Sequence, residues 1–215
     1  VTPYYDHGGI TIYHGDCRAI LPSLGTFDLL LTDPPYGISL DTRARYKRNA
    51  DHAPIVGDDE PFDPKLLLQS APCAVLWGAN HYCQRLPHMP GWLCWVKVKF
   101  DGAFGTRAMD KRQAEMELAW TNCVTRPKSL RHLWDGVFRD SESSTRYHPA
   151  QKPVALMAWC LSLVPEARTV VDPYMGSGPV ARACKDAGKR YVGIDIEERY
   201  CEIAAKRLAQ EVLLA

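Results

Sequence analysis

The sequence predicts an α/β fold, an open and mostly parallel sheet with helices on both faces. Three observations predict it. Short apolar runs recur along the chain with helix-like stretches between them. Three of those runs lead directly into an aspartate, at Asp33, Asp172 and Asp195. The C-terminal third reads strand, helix, strand, helix with short links, a right-handed βαβ unit whose strands must run parallel.

In the N-terminal half, Ile10–His14, Phe27–Thr32, Cys73–Trp77, Trp92–Val98 and Met116–Thr121 read as strands. Leu66–Pro72 and Asn80–Leu86 read as helix pieces between them. Pro153 opens a helix whose Val154, Met157, Leu161 and Val164 form an apolar stripe at helical spacing. Thr169–Asp172 is a short buried strand, and Met175-Gly-Ser-Gly178 is a tight turn. Pro179 suits the first position of the next helix, and Gly188 its C-terminal end. Arg190–Asp195 is another strand. Glu197 and Glu198 then open the last helix, where negative charge meets the positive end of the dipole.

At 215 residues the chain is read as one domain, residues 1–215. A chain of this size buries roughly 70% of its unfolded surface. Its 46% hydrophobic and 24% charged residues exclude disorder and coiled coil. No window reaches the run of about 18 apolar residues that a membrane span needs. The N-terminal VTPYYDHGG has no signal-peptide pattern, so a cytoplasmic location is expected. The eight cysteines never pair as C-x-x-C, so reduced, mostly buried thiols are expected and no metal site. A net charge of +1 leaves nucleic acid open as a partner. Two long polar stretches stand out, 37–60 with Arg43, Arg45, Lys47 and Arg48, and 101–112 with Arg107, Lys111 and Arg112. Loops of that length are usually functional or mobile, although a plain solvated surface would also fit.

Strands of one sense end on one edge of a parallel sheet, where ligands bind in open α/β folds. Asp33, Asp172 and Asp195 are therefore expected to converge on one cleft. Gly176-Ser-Gly178 followed by Asp195 fits a nucleoside: glycines allow close backbone approach, and an acid at the next strand end can take both ribose hydroxyls. The same turn matches a dinucleotide pattern, but Pro179 removes an N–H that a pyrophosphate would use. Asp33-Pro34-Pro35-Tyr36 follows its strand directly. Its prolines remove two donors, leaving acceptors, a flat aromatic face and no nucleophile. That suits a neutral amine held by its N–H bonds while its lone pair attacks.

These segments resemble the DNA amino-methyltransferases that use S-adenosylmethionine. Asp33-Pro-Pro-Tyr36 is similar to their catalytic motif. Asp172-Pro-Tyr-Met-Gly-Ser-Gly178 is similar to their methionine-binding motif, and His148-Pro-Ala-Gln-Lys-Pro153 to the segment before it. Gly193-Ile-Asp195 resembles the ribose strand, and His14-Gly-Asp-Cys17 the adenine-contacting segment. The catalytic motif precedes the methionine motif, the order of the β class. The resemblance implies a Rossmann-like methyltransferase fold, S-adenosylmethionine as cofactor and DNA as partner. A bacterial or phage restriction–modification setting and a homodimer are further expectations. It places Asp33, Pro34, Pro35 and Tyr36 in catalysis. It places Asp16, Cys17, Asp33, His148, Gln151, Lys152, Asp172, Tyr174, Gly176, Ser177, Gly178 and Asp195 at the cofactor, with Lys152 taking its carboxylate and Asp195 its ribose. The basic loops would meet DNA. Tyr174, Pro179 and Ala150 depart from the family's usual Phe, Thr and Thr. Residues 122–147 leave room for only a reduced target-recognition region, so a loose or short recognition sequence is expected. The first Asp leans toward adenine-N6 over cytosine-N4 as the methylated amine. A catalytically silent nucleic-acid-binding module is the rival of another class.

Overall fold

Leu29-Leu30-Leu31-Thr32 is buried at all four positions, as a strand must be when both faces of its sheet are covered. The computed structural model describes residues 1–39, 55–97, 114–135, 138–142 and 151–209. In it this strand lies inside a nine-stranded sheet. In chain order the strands are β1 (Tyr5–His7), β2 (Ile10–His14), β3 (Leu29–Thr32), β4 (Cys73–Trp77), β5 (Trp92–Val96), β6 (Met116–Thr121), β7 (Lys128–Arg131), β8 (Trp134–Asp135), β9 (Phe138–Arg139), β10 (Thr169–Asp172) and β11 (Arg190–Asp195). Their spatial order is β1-β2-β11-β10-β3-β4-β6-β5-β7, while β8 and β9 pair separately as an antiparallel hairpin. The five strands from β2 to β4 are mutually parallel. β6 runs antiparallel to both of its neighbours.

The helices are α1 (Cys17–Ile20), α2 (Lys65–Leu68), α3 (Val154–Ser162), α4 (Pro179–Asp186) and α5 (Glu198–Ala209). Side chains alternate across a strand, so each buried strand feeds two apolar layers. Leu29, Leu31, Val75, Trp77 and Val170 pack with residues of α3, α4 and α5 on one face. Leu30, Ala74, Leu76, Val171 and Ile194 pack with α1 and α2 on the other. Truncating one of these leucines to alanine costs about 2–5 kcal/mol.

The chain leaves β10 through α4 to β11 on one side, and leaves β3 toward β4 on the other. The gap between β10 and β3 is therefore the topological switch point, where open α/β sheets bind ligands. The helix expected over 66–72 is the short α2, and that over 80–86 is two 3₁₀ turns, Ala79–His81 and Cys83–Arg85, broken at Tyr82 (φ −134°). Residues 122–142 add an edge strand and a hairpin that carry no clear apolar alternation in sequence. No described helix is long and apolar enough to cross a membrane.

Candidate active site

The three strand-end acids meet at the switch point. Asp172 is buried, and its Oδ1 accepts from Thr32 Oγ1 at 2.6 Å and from the Tyr174 amide at 3.2 Å. The first bond ties β10 to β3. The Tyr191 hydroxyl lies 3.4 Å from Asp172 Oδ2. Burial, with that hydrogen bonding acting against it, pushes the Asp172 carboxyl up to about 7. Asp195 Oδ2 accepts from the Gly176 amide at 2.8 Å, and its Oδ1 from the Glu197 amide at 2.9 Å. It thus fixes the glycine turn to the end of β11. Burial pushes the Asp195 carboxyl up to about 6, against those two amide bonds.

Asp33 leaves β3 into the double-proline corner. The Tyr36 hydroxyl donates to Asp33 Oδ1 at 2.6 Å. The corner is fastened from below by Asp58, whose Oδ1 accepts from the amides of Tyr36 (2.9 Å), Gly37 (3.0 Å) and Ile38 (3.4 Å). The Tyr36 ring lies so close to Gly78 that a Cβ there would sit 1.9 Å from Cε1, so only glycine fits. The His81 imidazole stacks on the same ring, 5.1 Å between centroids and 13° from parallel.

Lys152, expected at the cofactor, lines the cleft at its Asp33 end. Its Nζ donates to Asp33 Oδ2 at 2.5 Å and to the Tyr36 hydroxyl at 3.1 Å, and lies 3.0 Å from Glu117 Oε2. Glu117 in turn pairs with Lys97 at 2.7 Å. The result is an alternating chain of charges, Lys97, Glu117, Lys152, Asp33, ending at the Tyr36 hydroxyl. Burial pushes the Asp33 carboxyl up, with Lys152 opposing and Glu117 adding to the rise. For Glu117, burial is outweighed by Lys152 and Lys97, which hold its carboxyl down at about 2. Burial works against the Lys152 ammonium, but Asp33 and Glu117 overcome it and raise its pKa.

A cleft of about 920 Å³ joins these parts. It runs from Gly15, Asp16 and Cys17 past Asp195 to the Gly176 turn, and on to Asp33 and Tyr36. That is the size of a small-ligand site. Gly176 (φ +53°) has nothing within 4 Å of where a Cβ would stand. Any side chain there would be strained and would take up room in the cleft. A nucleoside with an amino-acid tail fits the volume and the residues that line this cleft.

Of the other residues expected at the cofactor, Asp16, Cys17, Tyr174, Ser177 and Gln151 line this cleft, and Gly178 caps α4 beside it. Several are already engaged. Asp16 caps α1 and is held by Arg18, whose bonds lower its carboxyl pKa. Ser177 receives Arg207 at both its carbonyl (2.6 Å) and its Oγ (3.2 Å). Gln151 donates to Glu142 at 2.9 Å. Pro34 and Pro35 also line the cleft. His148, Arg43, Arg45, Lys47, Arg48, Arg107, Lys111 and Arg112 lie outside the described residues.

Sequence reasoning missed Glu117, Lys97, Asp58, His81 and Glu142. Glu142 adopts a left-handed conformation (φ +51°). From it the carboxylate bonds the Val154 amide (2.6 Å), Gln151 and Arg207 (3.0 Å), so it ties the start of α3 to the glycine turn. Only the placement of Glu117 on a strand next to β4 could have hinted at its role. The others gain meaning from contacts between distant segments.

A mostly parallel sheet with its switch-point cleft, a glycine turn at one strand end and an acid-bearing double-proline corner at the next make up a methyltransferase-type α/β fold. A family model for N6/N4 DNA methylases matches residues 94–206, just over half of the chain, and the chain belongs to that family. Among curated relatives, the type II methyltransferase M2.DpnII of Streptococcus pneumoniae is 36% identical over 86 residues, 39% of this chain and 32% of that protein. M.ScaI of Streptomyces caespitosus is 25% identical over 97% of this chain and 84% of its own length. Among solved structures, the M1.HpyAVI–SAM complex superposes with a TM-score of 0.56 at 22% identity, covering 94% of this chain and 100% of that one. The cytosine-N4-specific PvuII methyltransferase gives 0.65 at 15% identity, covering 99% and 90%. At these identities the two structures bear on the fold alone.

Proposed function

We propose that this chain transfers a methyl group from S-adenosylmethionine to the exocyclic N6 of adenine in DNA. The observation that carries the reading is the placement of the Asp33 carboxylate, beside Pro34 and Tyr36, in the same cleft as the Gly176–Asp195 turn. S-adenosylmethionine, when bound, supplies a methyl group on a positively charged sulfur. Asp195 would hold the ribose hydroxyls, and Gly176 and Asp172 would shape the methionine end. Asp16 and Cys17 would flank the adenine ring.

The target base cannot be reached inside a duplex and has to be swung out of the stack. Asp33 and the Pro34 carbonyl would accept its N–H bonds, drawing the nitrogen lone pair out of ring conjugation and aiming it. Orientation and preorganised acceptors would supply most of the rate. No covalent intermediate on a cysteine is required. Arg43, Arg45, Lys47, Arg48, Arg107, Lys111 and Arg112 would meet phosphates, with a short recognition sequence read through 122–147. DNA affinity should then fall steeply with salt. An unchanged salt slope after neutralising the four basic residues of 43–48 would remove them from that role.

The direct test is incubation with methyl-labelled cofactor and DNA, followed by nucleoside mass spectrometry. N6-methyladenine is expected. N4-methylcytosine would transfer the reading to the other amine of the family, and cofactor binding without any transfer would favour a silent binding module. Sedimentation of the pure protein tests the expected homodimer.

A further inference from the structure

Lys152 comes to the cleft from the segment just before α3, yet it faces the catalytic corner. Its side chain is 6% exposed, and its Nζ sits between Asp33 Oδ2 at 2.5 Å and Glu117 Oε2 at 3.0 Å. A buried ammonium with two carboxylates at those distances is already partnered. Recruiting it to a third carboxylate, that of the cofactor, would break a desolvated pair, which is costly. We infer that Lys152 is a positioning residue for Asp33, with Glu117 as its counterweight: it fixes the charge and aim of the carboxylate that accepts the target amine.

The chemistry explains why such a device is useful. Only an ionised Asp33 offers acceptors on both oxygens; a protonated one becomes a donor. Burial at the corner favours the protonated form, and a fixed cation alongside opposes that. A cation acting alone would also grip the oxygen that the amine needs. Glu117 shares the ammonium and so tempers that grip, while Lys97 balances Glu117. Among the described residues, the groups facing this pair come from five segments. They are Tyr36 from the corner, Tyr82 from the 3₁₀ turns after β4, Lys97 after β5, Glu117 on β6 and Asp172 on β10.

The inference rests on the methyltransferase reading, and its test separates the two. Methyl transfer to DNA is measured from pH 5.5 to 9 for wild type, K152M, K152R and E117Q, with cofactor affinity by calorimetry. K152M should move the acid limb of kcat up by at least about one pH unit and recover activity toward pH 9, with cofactor Kd within about threefold of wild type. E117Q should move the limb down, since it removes a negative charge near Asp33. K152R, which keeps the cation, should leave the limb within a few tenths of a unit of wild type. Unmoved limbs in both K152M and E117Q would overturn the inference. So would a K152M limb that stays put while cofactor affinity drops more than about tenfold, which would return Lys152 to the cofactor's carboxylate. If K152M does not fold, E117Q and K152R decide alone. Absence of turnover by the wild type would instead overturn the parent reading and this inference with it.

Discussion

Replacing Asp172 with Asn should stabilise the folded protein above about pH 4, by an amount that grows until about pH 7 and is then constant. Asp172 is about 2% exposed. Its carboxyl rises from an ordinary 3.8 to about 7 on folding. Below pH 3.8 the folded and unfolded chains both hold the proton and the group is neutral in the balance. Between roughly pH 4 and 7 the unfolded chain has released the proton and the folded chain keeps it, so stability declines as pH rises. Above about 7 the penalty is constant. At about 1.4 kcal/mol per pH unit, the stretch crossed between pH 5 and pH 8 is about two units, or roughly 3 kcal/mol. Asparagine keeps an acceptor for Thr32 Oγ1 and the Tyr174 amide and carries no charge, so the penalty should vanish. Urea denaturation followed by tryptophan fluorescence at the two pH values gives the comparison. Asp195 adds a similar slope to both proteins and cancels in the difference. If D172N and wild type show the same change in unfolding free energy from pH 5 to pH 8, within about 0.5 kcal/mol, Asp172 does not carry the raised pKa argued here.

Other substitutions address the catalytic corner and its supports. Asp33→Ala should abolish methyl transfer while cofactor still binds in calorimetry; turnover at a tenth of wild type or more would take Asp33 out of the mechanism. Gly78→Ala drives a methyl group into the Tyr36 ring and should lower kcat at least about tenfold with little effect on cofactor affinity, a split readable in steady-state kinetics. Arg207→Met leaves Glu142 short of a partner and releases Ser177. A loss of about 3 kcal/mol in denaturant melts is expected, with weaker cofactor binding because the glycine turn loosens; a variant as stable as wild type would show that Arg207 does not hold the turn.

What the sequence made legible was local. The strands read over Phe27–Thr32, Thr169–Asp172 and Arg190–Asp195 are found, the first starting two residues later at Leu29, and the three acids at their ends line one cleft. The Gly176 turn and the Pro179 helix start were readable for the same reason, since backbone geometry there is dictated by the residues themselves. Lys152 was read as a cleft residue, and it lines the cleft, but its bonds to Asp33 and Glu117 were not foreseen. The pairing with Glu117 depends on β6 lying antiparallel beside β4, and no single segment encodes that register. Asp58 and Glu142 stayed hidden because their bonds join residues 9 to 65 positions apart. The hairpin β8–β9 and the edge strand β7 are short and polar, so tertiary pairing rather than pattern defines them.

The order of strands has a consequence for biosynthesis. β2 and β3 are made well before the two strands that separate them, β10 and β11, which follow every other described strand. Until β10 and β11 leave the ribosome, the part already made holds two unpaired strand edges and an unfinished hydrophobic layer. Half of the cleft between β10 and β3 has no counterpart during that time. Such a sheet cannot be built in the order in which its strands are made. It closes by insertion, like a keystone set after the arch, and its most aggregation-prone moment falls just before that step.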